Sequence, residues 1–246
     1  GTSYLTGAPV SAEIASRLPR TLTLGIASMV LAFGIGIPLG VTAAVHQNGW
    51  GDRISMIIAL LGVSIPTFWL AMLMVLLFSL KLRWFPASGI GGWEYYVLPT
   101  VSLCFGGLAT QARQSRSSML EVIRSDYVVT ARAKGLSQRE VIFKHALPNA
   151  LNPIITLAGN NLAVIFGGSV VIENVFSFPG IGQYMINAIN QRDYPIVRGC
   201  VVMLAVVFAV IMLLVDLCYA FNDPRIKSRY VNTGKKKKAA VAKEQV

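Results

Sequence analysis

Thr21-Leu-Thr-Leu-Gly-Ile-Ala-Ser-Met-Val-Leu-Ala-Phe-Gly-Ile-Gly-Ile-Pro-Leu-Gly-Val-Thr-Ala-Ala-Val-His-Gln-Asn-Gly-Trp-Gly51 runs for 31 residues without a Lys, Arg, Asp or Glu. A helix crosses the hydrocarbon core of a bilayer with about 20 apolar residues, so this stretch is long enough to span. Four further charge-free runs follow at 54–80, 95–112, 146–172 and 199–215, of 27, 18, 27 and 17 residues. Over the whole 246-residue chain 54% of residues are apolar, 13% are charged and the mean hydropathy is +0.59. A soluble domain carries about a quarter charged residues. Composition therefore excludes a cytosolic globular enzyme, a disordered chain and a disulfide scaffold. The expected fold is all-α: a polytopic transmembrane helical bundle of five spans, with no room left for a separate soluble domain.

Cys104, Cys200 and Cys218 fall in or beside apolar runs and read as small buried apolar residues. Their odd number and the lack of a CxxC argue against a metal or redox framework. His46 and His145 stand alone, so no histidine-based metal site is expected.

Orientation follows from the basic residues. Adjacent spans alternate direction, which sorts the connections into two sets. The set 46–53, 113–148 and the tail after Asn222 holds one, seven and eight Lys or Arg, sixteen in all; the set 1–20, 81–96 and 173–198 holds six. The positive-inside rule places the first set, and with it the C-terminus, in the cytoplasm. The net charge of +11 is mostly this asymmetry and not a nucleic-acid footprint. The tail 223–246 reads as disordered, its lysines at 235–238 lying near anionic lipid headgroups. Residues 1–20 form an external or interfacial lead-in to a transmembrane domain at 21–222. The lead-in is no signal peptide, since no basic segment precedes an apolar core. An earlier span is therefore expected before Gly1, a cleaved signal being the alternative.

Within the spans, Gly34, Gly36, Pro38 and Gly40 permit close approach and a bend in the first. Ser64 and Pro66 lie about a third of the way along the second. Tyr95 and Tyr96 open the third, with Trp84 and Trp93 as interfacial aromatics before it.

The 113–148 connection is long and not loop-like in composition. Residues 119–134 contain no Gly or Pro, and Ala131 and Ala133 favour helix. Ser118-Met-Leu-Glu121 has the spacing of a capping box that would start that helix, and Gly135 stands where a left-handed stop is expected. Ser137-Gln-Arg-Glu140 repeats the spacing and predicts a second short helix from Gln138, ending before Pro148. The product is helix, tight glycine turn, helix. By physics alone it is either an orientation signal that happens to be helical or a docking element for a cytoplasmic partner. Its basic residues outnumber Glu121, Asp126 and Glu140, and Leu136, Val141, Ile142 and Phe143 offer apolar anchors. A DNA-reading helix-turn-helix is disfavoured because both ends are tethered within a few residues of the bilayer.

Asp126-Tyr-Val-Val-Thr-Ala-Arg-Ala-Lys-Gly-Leu-Ser137, continuing to Lys144-His-Ala-Leu-Pro-Asn149, resembles the signature loop of permease subunits of binding-protein-dependent ABC importers, nearest the dipeptide/oligopeptide/nickel branch. Arg17-Leu-Pro-Arg-Thr-Leu22, Trp84-Phe-Pro-Ala-Ser-Gly89, Val171-Ile-Glu-Asn-Val-Phe-Ser-Phe-Pro-Gly-Ile-Gly-Gln183, Arg192-Asp-Tyr-Pro195 and Asp223-Pro-Arg225 match the same branch in one order, so the resemblance spans about residues 10–226. It implies a type I importer permease fold in the bacterial cytoplasmic (inner) membrane and alternating access driven by ATPase subunits. The implied partners are a second homologous permease, two ATPase subunits that carry ATP and Mg, and an extracytoplasmic binding protein that delivers the solute. The loop would be the coupling element, with Arg132, Ala133, Lys134, Gly135, Leu136, Ser137, Arg139 and Glu140 facing the ATPase. Two departures stand out. The wider family carries a glutamate six residues before the glycine, where this chain has Val129, and members of the branch begin with another span. The solute stays open among dipeptides, longer peptides, nickel complexes, glutathione and related molecules.

Nothing supports ATP hydrolysis by this chain: the Gly234-Lys235 pair is followed by lysine, and Arg229 stands where a P-loop needs its first glycine. No cofactor is expected on it. Candidate pathway residues are Ser64, Asn160, Asn161 and Asp216, because polar groups at membrane depth either tie helices together or line a watery route. Glu173, with Phe178, Pro179 and Gly180, opens an external segment that is either a gate, a binding-protein contact or a simple surface cap. A self-contained secondary transporter or channel and an intramembrane enzyme remain as alternatives. The first gives the capped loop no task, and the second needs convergent catalytic residues that do not emerge.

Overall fold

The computed structural model describes residues 1–222, and at 152, 156, 158, 160, 163, 216 and 218–222 the backbone alone. The tail 223–246, and with it Asp223-Pro-Arg225, lies outside the described residues. Every regular element described is helical, save one antiparallel bridge between Thr2 and Pro9.

Helix α1 (Val10–Val45) begins well before its charge-free run, so the lead-in is helical from Val10 rather than a loose approach to the span. The cause is a four-residue apolar repeat: Val10, Ile14 and Leu18 pack against Ile181, Ala188, Ile196 and Cys200. Glu13 and Arg17 pair one turn apart, with the Arg17 guanidinium over the Tyr184 ring. Pro19 and Pro38 sit inside the helix. The Thr23 and Thr42 hydroxyls donate to the Pro19 and Pro38 carbonyls at 2.8 and 2.9 Å.

The second charge-free run is not one straight helix. α2 (Trp50–Ser64) stops at Ile65, and α3 (Thr67–Met74) sets off at 102° to it, continuing as a π-helical segment over Val75–Lys81. Pro66 has no N–H to give and pushes the preceding residue out of the helical region. Ile65 accordingly sits at φ −83° and ψ 121°.

α4 (Glu94–Ile123) runs unbroken through Ser118, so the first capping box is not used. Ser118 is buried mid-helix and its hydroxyl accepts from Gln114 Nε2 at 3.1 Å. The helix stops at Arg124, and α5 (Asp126–Ala133) starts behind Ser125. After the glycine turn come α6 (Gln138–Glu140), a π-helical segment over Val141–Ala146 and α7 (Leu147–Val175) without a gap. Pro148 thus does not end the second arm. It occupies the first turn of α7, where a missing N–H costs least. α8 (Ile181–Asn190) and α9 (Tyr194–Asn222) complete the chain.

The centre is the α1–α4 contact. Ser28, Ala32, Gly36, Gly40 and Ala44, four apart and all buried, make a flat stripe that lets two backbones nearly touch. A Cβ on Gly36 would lie 2.8 Å from the Leu108 carbonyl oxygen. Large apolar side chains point the other way: Ile54, Ile57 and Leu61 on α2, and Val202, Val206 and Leu213 on α9, are exposed. Small and polar inside with apolar outside is the arrangement lipid selects. Among the described residues two helices, α1 and α9, are long and apolar enough to cross a membrane unaided, and the bent pair α2–α3 is a third if counted together.

Candidate functional site

The elbow between α4 and α7 is rooted by its own side chains. Val128 and Ala131 of α5, and Val141, Ile142 and Ala146 of the second arm, share one buried cluster with Val41, Ala44, Met119, Ala150 and Ile154. Val141 and Ile142, two of the anchors offered to a partner by the sequence, therefore hold the elbow to its own bundle. Phe143 stays exposed, and Tyr127 and Val129 join it. The glutamate position of the wider family is thus an outward-facing valine.

The tip is open. Arg132, Ala133, Lys134, Gly135, Ser137 and Arg139 are exposed, and Leu136 and Glu140 are half-buried. Gly135 has φ +80°, and a Cβ there would meet nothing within 4 Å, so glycine is required by the backbone and not by crowding. Its N–H donates to the Arg132 carbonyl at 2.9 Å. The second capping box forms: Ser137 Oγ accepts from the Glu140 N–H at 3.3 Å and donates to Glu140 Oε2 at 3.1 Å. Lys144 Nζ donates to Glu140 Oε1 at 3.1 Å, and this bond first, with the Ser137 bonds behind it, holds the carboxyl below its ordinary range. The turn is thereby stiff, short and basic.

Behind the elbow, α4 collects contacts from every neighbour. Gln111 accepts from Asn161 Nδ2 at 3.3 Å and donates from Nε2 to the Ile154 carbonyl at 3.5 Å, tying α4 to α7. Asn161, one of the pathway candidates, is buried in that tie. Arg116 meets Asp52 of α2 through two bonds, Nε to Oδ1 at 2.5 Å and Nη2 to Oδ2 at 2.7 Å. Ser64 is exposed at the α2–α3 break, its hydroxyl turned back onto the Leu60 carbonyl at 2.8 Å. Asn160 and Asp216 are placed by backbone alone, on α7 and α9.

On the opposite face Glu173 ends up inside α7 and fully buried, not on the surface. Its carboxylate accepts from Thr21 Oγ1 at 2.7 Å and from the Gly182 and Gln183 N–H groups at 2.7 and 3.1 Å. Thr21 Oγ1 in turn accepts from the Ile181 N–H at 2.9 Å. A carboxylate supplied by α7 therefore caps the N-terminus of α8. Phe178 is buried edge-on to Tyr96 with centroids 5.0 Å apart, and the half-buried Pro179 accepts from Arg20 through its carbonyl at 3.2 Å. At Gly180 a Cβ would run into the Glu173 carboxylate. Asp193 is likewise buried, accepting from Ser3 Oγ at 2.5 Å and the Tyr4 N–H at 3.3 Å. The sequence alone does not single out Thr21, Gln111, Arg116 or Asp52. Their partners on other helices stand 43 to 160 positions away, so the one available signal is a lone polar residue at the edge of an apolar run.

An apolar-coated helical bundle that carries a stiff basic elbow is the architecture of a polytopic membrane protein. The chain belongs to the family described as binding-protein-dependent transport system inner membrane component, whose model matches residues 36–228. It is an inner-membrane permease of an ABC importer. Relatives named glutathione transport system permease protein GsiC, from Escherichia coli (strain K12) and Salmonella typhi, are 42% identical over 227 residues, 92% of this chain and 74% of theirs. Among solved structures, the MetNI methionine ABC transporter in an inward-facing conformation matches with TM-score 0.73 and 22% identity, over 87% of this chain and 98% of that one. An amino acid ABC transporter matches with TM-score 0.61 and 15% identity, over 87% and 94%. These two share the fold.

Proposed function

We propose that this chain is one of two similar permease subunits that together enclose the solute path of an ATP-driven importer, and that residues 113–148 dock an ATPase subunit. The observation that carries it is the elbow itself, rooted by a buried apolar cluster while its basic tip and the rings of Tyr127 and Phe143 face water. A stiff, partly apolar projection in an aqueous layer is a docking surface by its chemistry. The two ATPase subunits hold ATP and Mg, and an extracytoplasmic binding protein delivers the solute. α1, the α2–α3 pair, α4, α7 and α9 make five passes, and the excess of basic residues beside the elbow and in the tail puts the C-terminus in the cytoplasm. Ser64, Asn160 and Asp216 are the path candidates, and Asn161 serves the path as a helix tie. The α8 platform around Glu173, Phe178, Pro179 and Gly180 is the external gate or binding-protein contact. The solute is a peptide or a related small molecule, and the name of the relatives makes glutathione, a tripeptide, the first to test.

The test is purification in detergent followed by reconstitution with the binding protein. An ATPase travels with the chain, and uptake requires ATP. Gly135→Val forces a β-branched residue to φ +80° and lowers uptake at least tenfold with the protein still inserted. Uptake that persists without an ATPase, or that survives Gly135→Val combined with Arg132→Ala and Arg139→Ala, overturns the docking.

A further inference from the structure

Asp52 and Arg116 form the one ion pair among the described residues that joins two different helices; the other two lie within a single helical stretch. Asp52 is 3% exposed, and its Oδ2 also accepts from the Asn48 N–H at 2.9 Å. Arg116 is half-buried, and taking even one member of an ion pair out of water seldom stabilises a fold more than an apolar contact would. The best-attested use of such a pair is to specify one register of one element on another. What it registers here is specific. Arg116 sits one turn before Met119, which belongs to the buried root of the elbow. Its backbone N is 2.9 Å from where a Cβ on Gly40 of α1 would be. Asp52 lies in the first turn of α2, twelve positions before Ser64 and the 102° break. At 1.5 Å per residue that is about 18 Å of continuous helix. Near the break α2 is held to α4 again, where a Cβ on Gly62 would stand 2.7 Å from the Ala109 Cβ.

Resting on the docking role of the elbow, we propose that Asp52 and Arg116 are a positioning pair for coupling: they bolt α2 to the turn of α4 that carries the elbow, so that displacement of the elbow is delivered to the α2–α3 break. Without the bolt the elbow still docks its ATPase, while α2, left with its packing at Gly62, follows α4 less closely.

The experiment uses the whole importer complex, purified with its ATPase, with Cys104, Cys200 and Cys218 replaced by serine and Ser64→Cys as a reporter at the break. Labelling of that cysteine by a water-soluble maleimide is compared between nucleotide-free complex and complex trapped with ATP and vanadate. In the parent the two labelling rates differ. In Asp52→Asn and Arg116→Gln the complex traps nucleotide to the parental level, but the difference shrinks at least fivefold, and the exchanged pair Asp52→Arg with Arg116→Asp restores most of it. Loss of assembly in the single variants leaves the exchanged pair to decide. An exchanged pair that fails to assemble, or assembles with no response, shows a folding requirement only and overturns the proposal. A response that survives neutralisation, or a parent that traps nucleotide with no change at the break, overturns it too. A parent with no ATPase to trap nucleotide refutes the docking role instead.

Discussion

Replacing Gly40 by alanine adds one methyl group to α1 where there is no space for it. The new Cβ would strike the Ala112 carbonyl oxygen and lie 2.6 Å from the Ser115 Cβ and 2.9 Å from the Arg116 N. Comfortable carbon contacts lie near 3.5–4.0 Å, and two of these three neighbours are backbone atoms that no rotamer change removes. α4 must therefore move away by roughly 1 Å, and overpacking of this kind costs about 1–3 kcal/mol. Gly34, six residues earlier on the same helix, is the control, because nothing lies within 4 Å of its Cβ position. Alanine in place of glycine inside a helix gains about 0.5–1 kcal/mol through the backbone at either site, so that gain cancels in the comparison. At about 2–4 °C per kcal/mol for a chain of this size, Gly40→Ala melts about 2–12 °C below Gly34→Ala. Intrinsic tryptophan fluorescence of the detergent-purified chain reads the difference. Equal melting temperatures, or a Gly40→Ala protein that melts higher, would refute the packing argument.

Two further outcomes follow from buried polar groups. Thr21→Val removes one donor from the Glu173 carboxylate and the acceptor for the Ile181 N–H; leaving such groups unpaired costs about 1–3 kcal/mol each, so amide exchange over 180–190 accelerates while the elbow amides keep their protection. The Asp52 carboxyl, outside the charge-free run, is held below its ordinary value of 3.8, first by the hydrogen bond from Arg116 and despite its burial. A depressed carboxyl stabilises the folded state fully above that value and loses its contribution as pH falls through the lower folded value. Melting measured from pH 6 downward therefore shows a drop below about pH 4 that Asp52→Asn lacks; identical acid profiles would show that the pair is not formed.

How far the chain could be read in advance depended on distance along it. The glycine stop and the Ser137 box are satisfied within four residues, and both form as their spacing demands. The same spacing at Ser118 is silent, because a cap needs an interrupted helix before it and no Gly or Pro interrupts α4 at that point. Val141 and Ile142 resemble Phe143 in composition, and only the register against Met119 and Val128 turns the first two inward. Pro66 was visible, but whether a proline in lipid kinks or breaks a helix depends on neighbours; here Gly62 seated on Ala109 fixes one side of the break. The burial of Glu173 is not legible in the sequence because Thr21, its partner, is 152 positions away.

From Gln138 to Val175 no coil interrupts the second arm: α6, the π-helical segment and α7 follow one another directly, with Pro153 inside α7. At 1.5 Å per residue these 38 positions form a shaft of about 57 Å. One end carries the Ser137 cap and the other the Glu173 carboxylate that seats α8. On the docking proposed above, a twist applied at the basic turn would travel along this one helical run to the seat of α8.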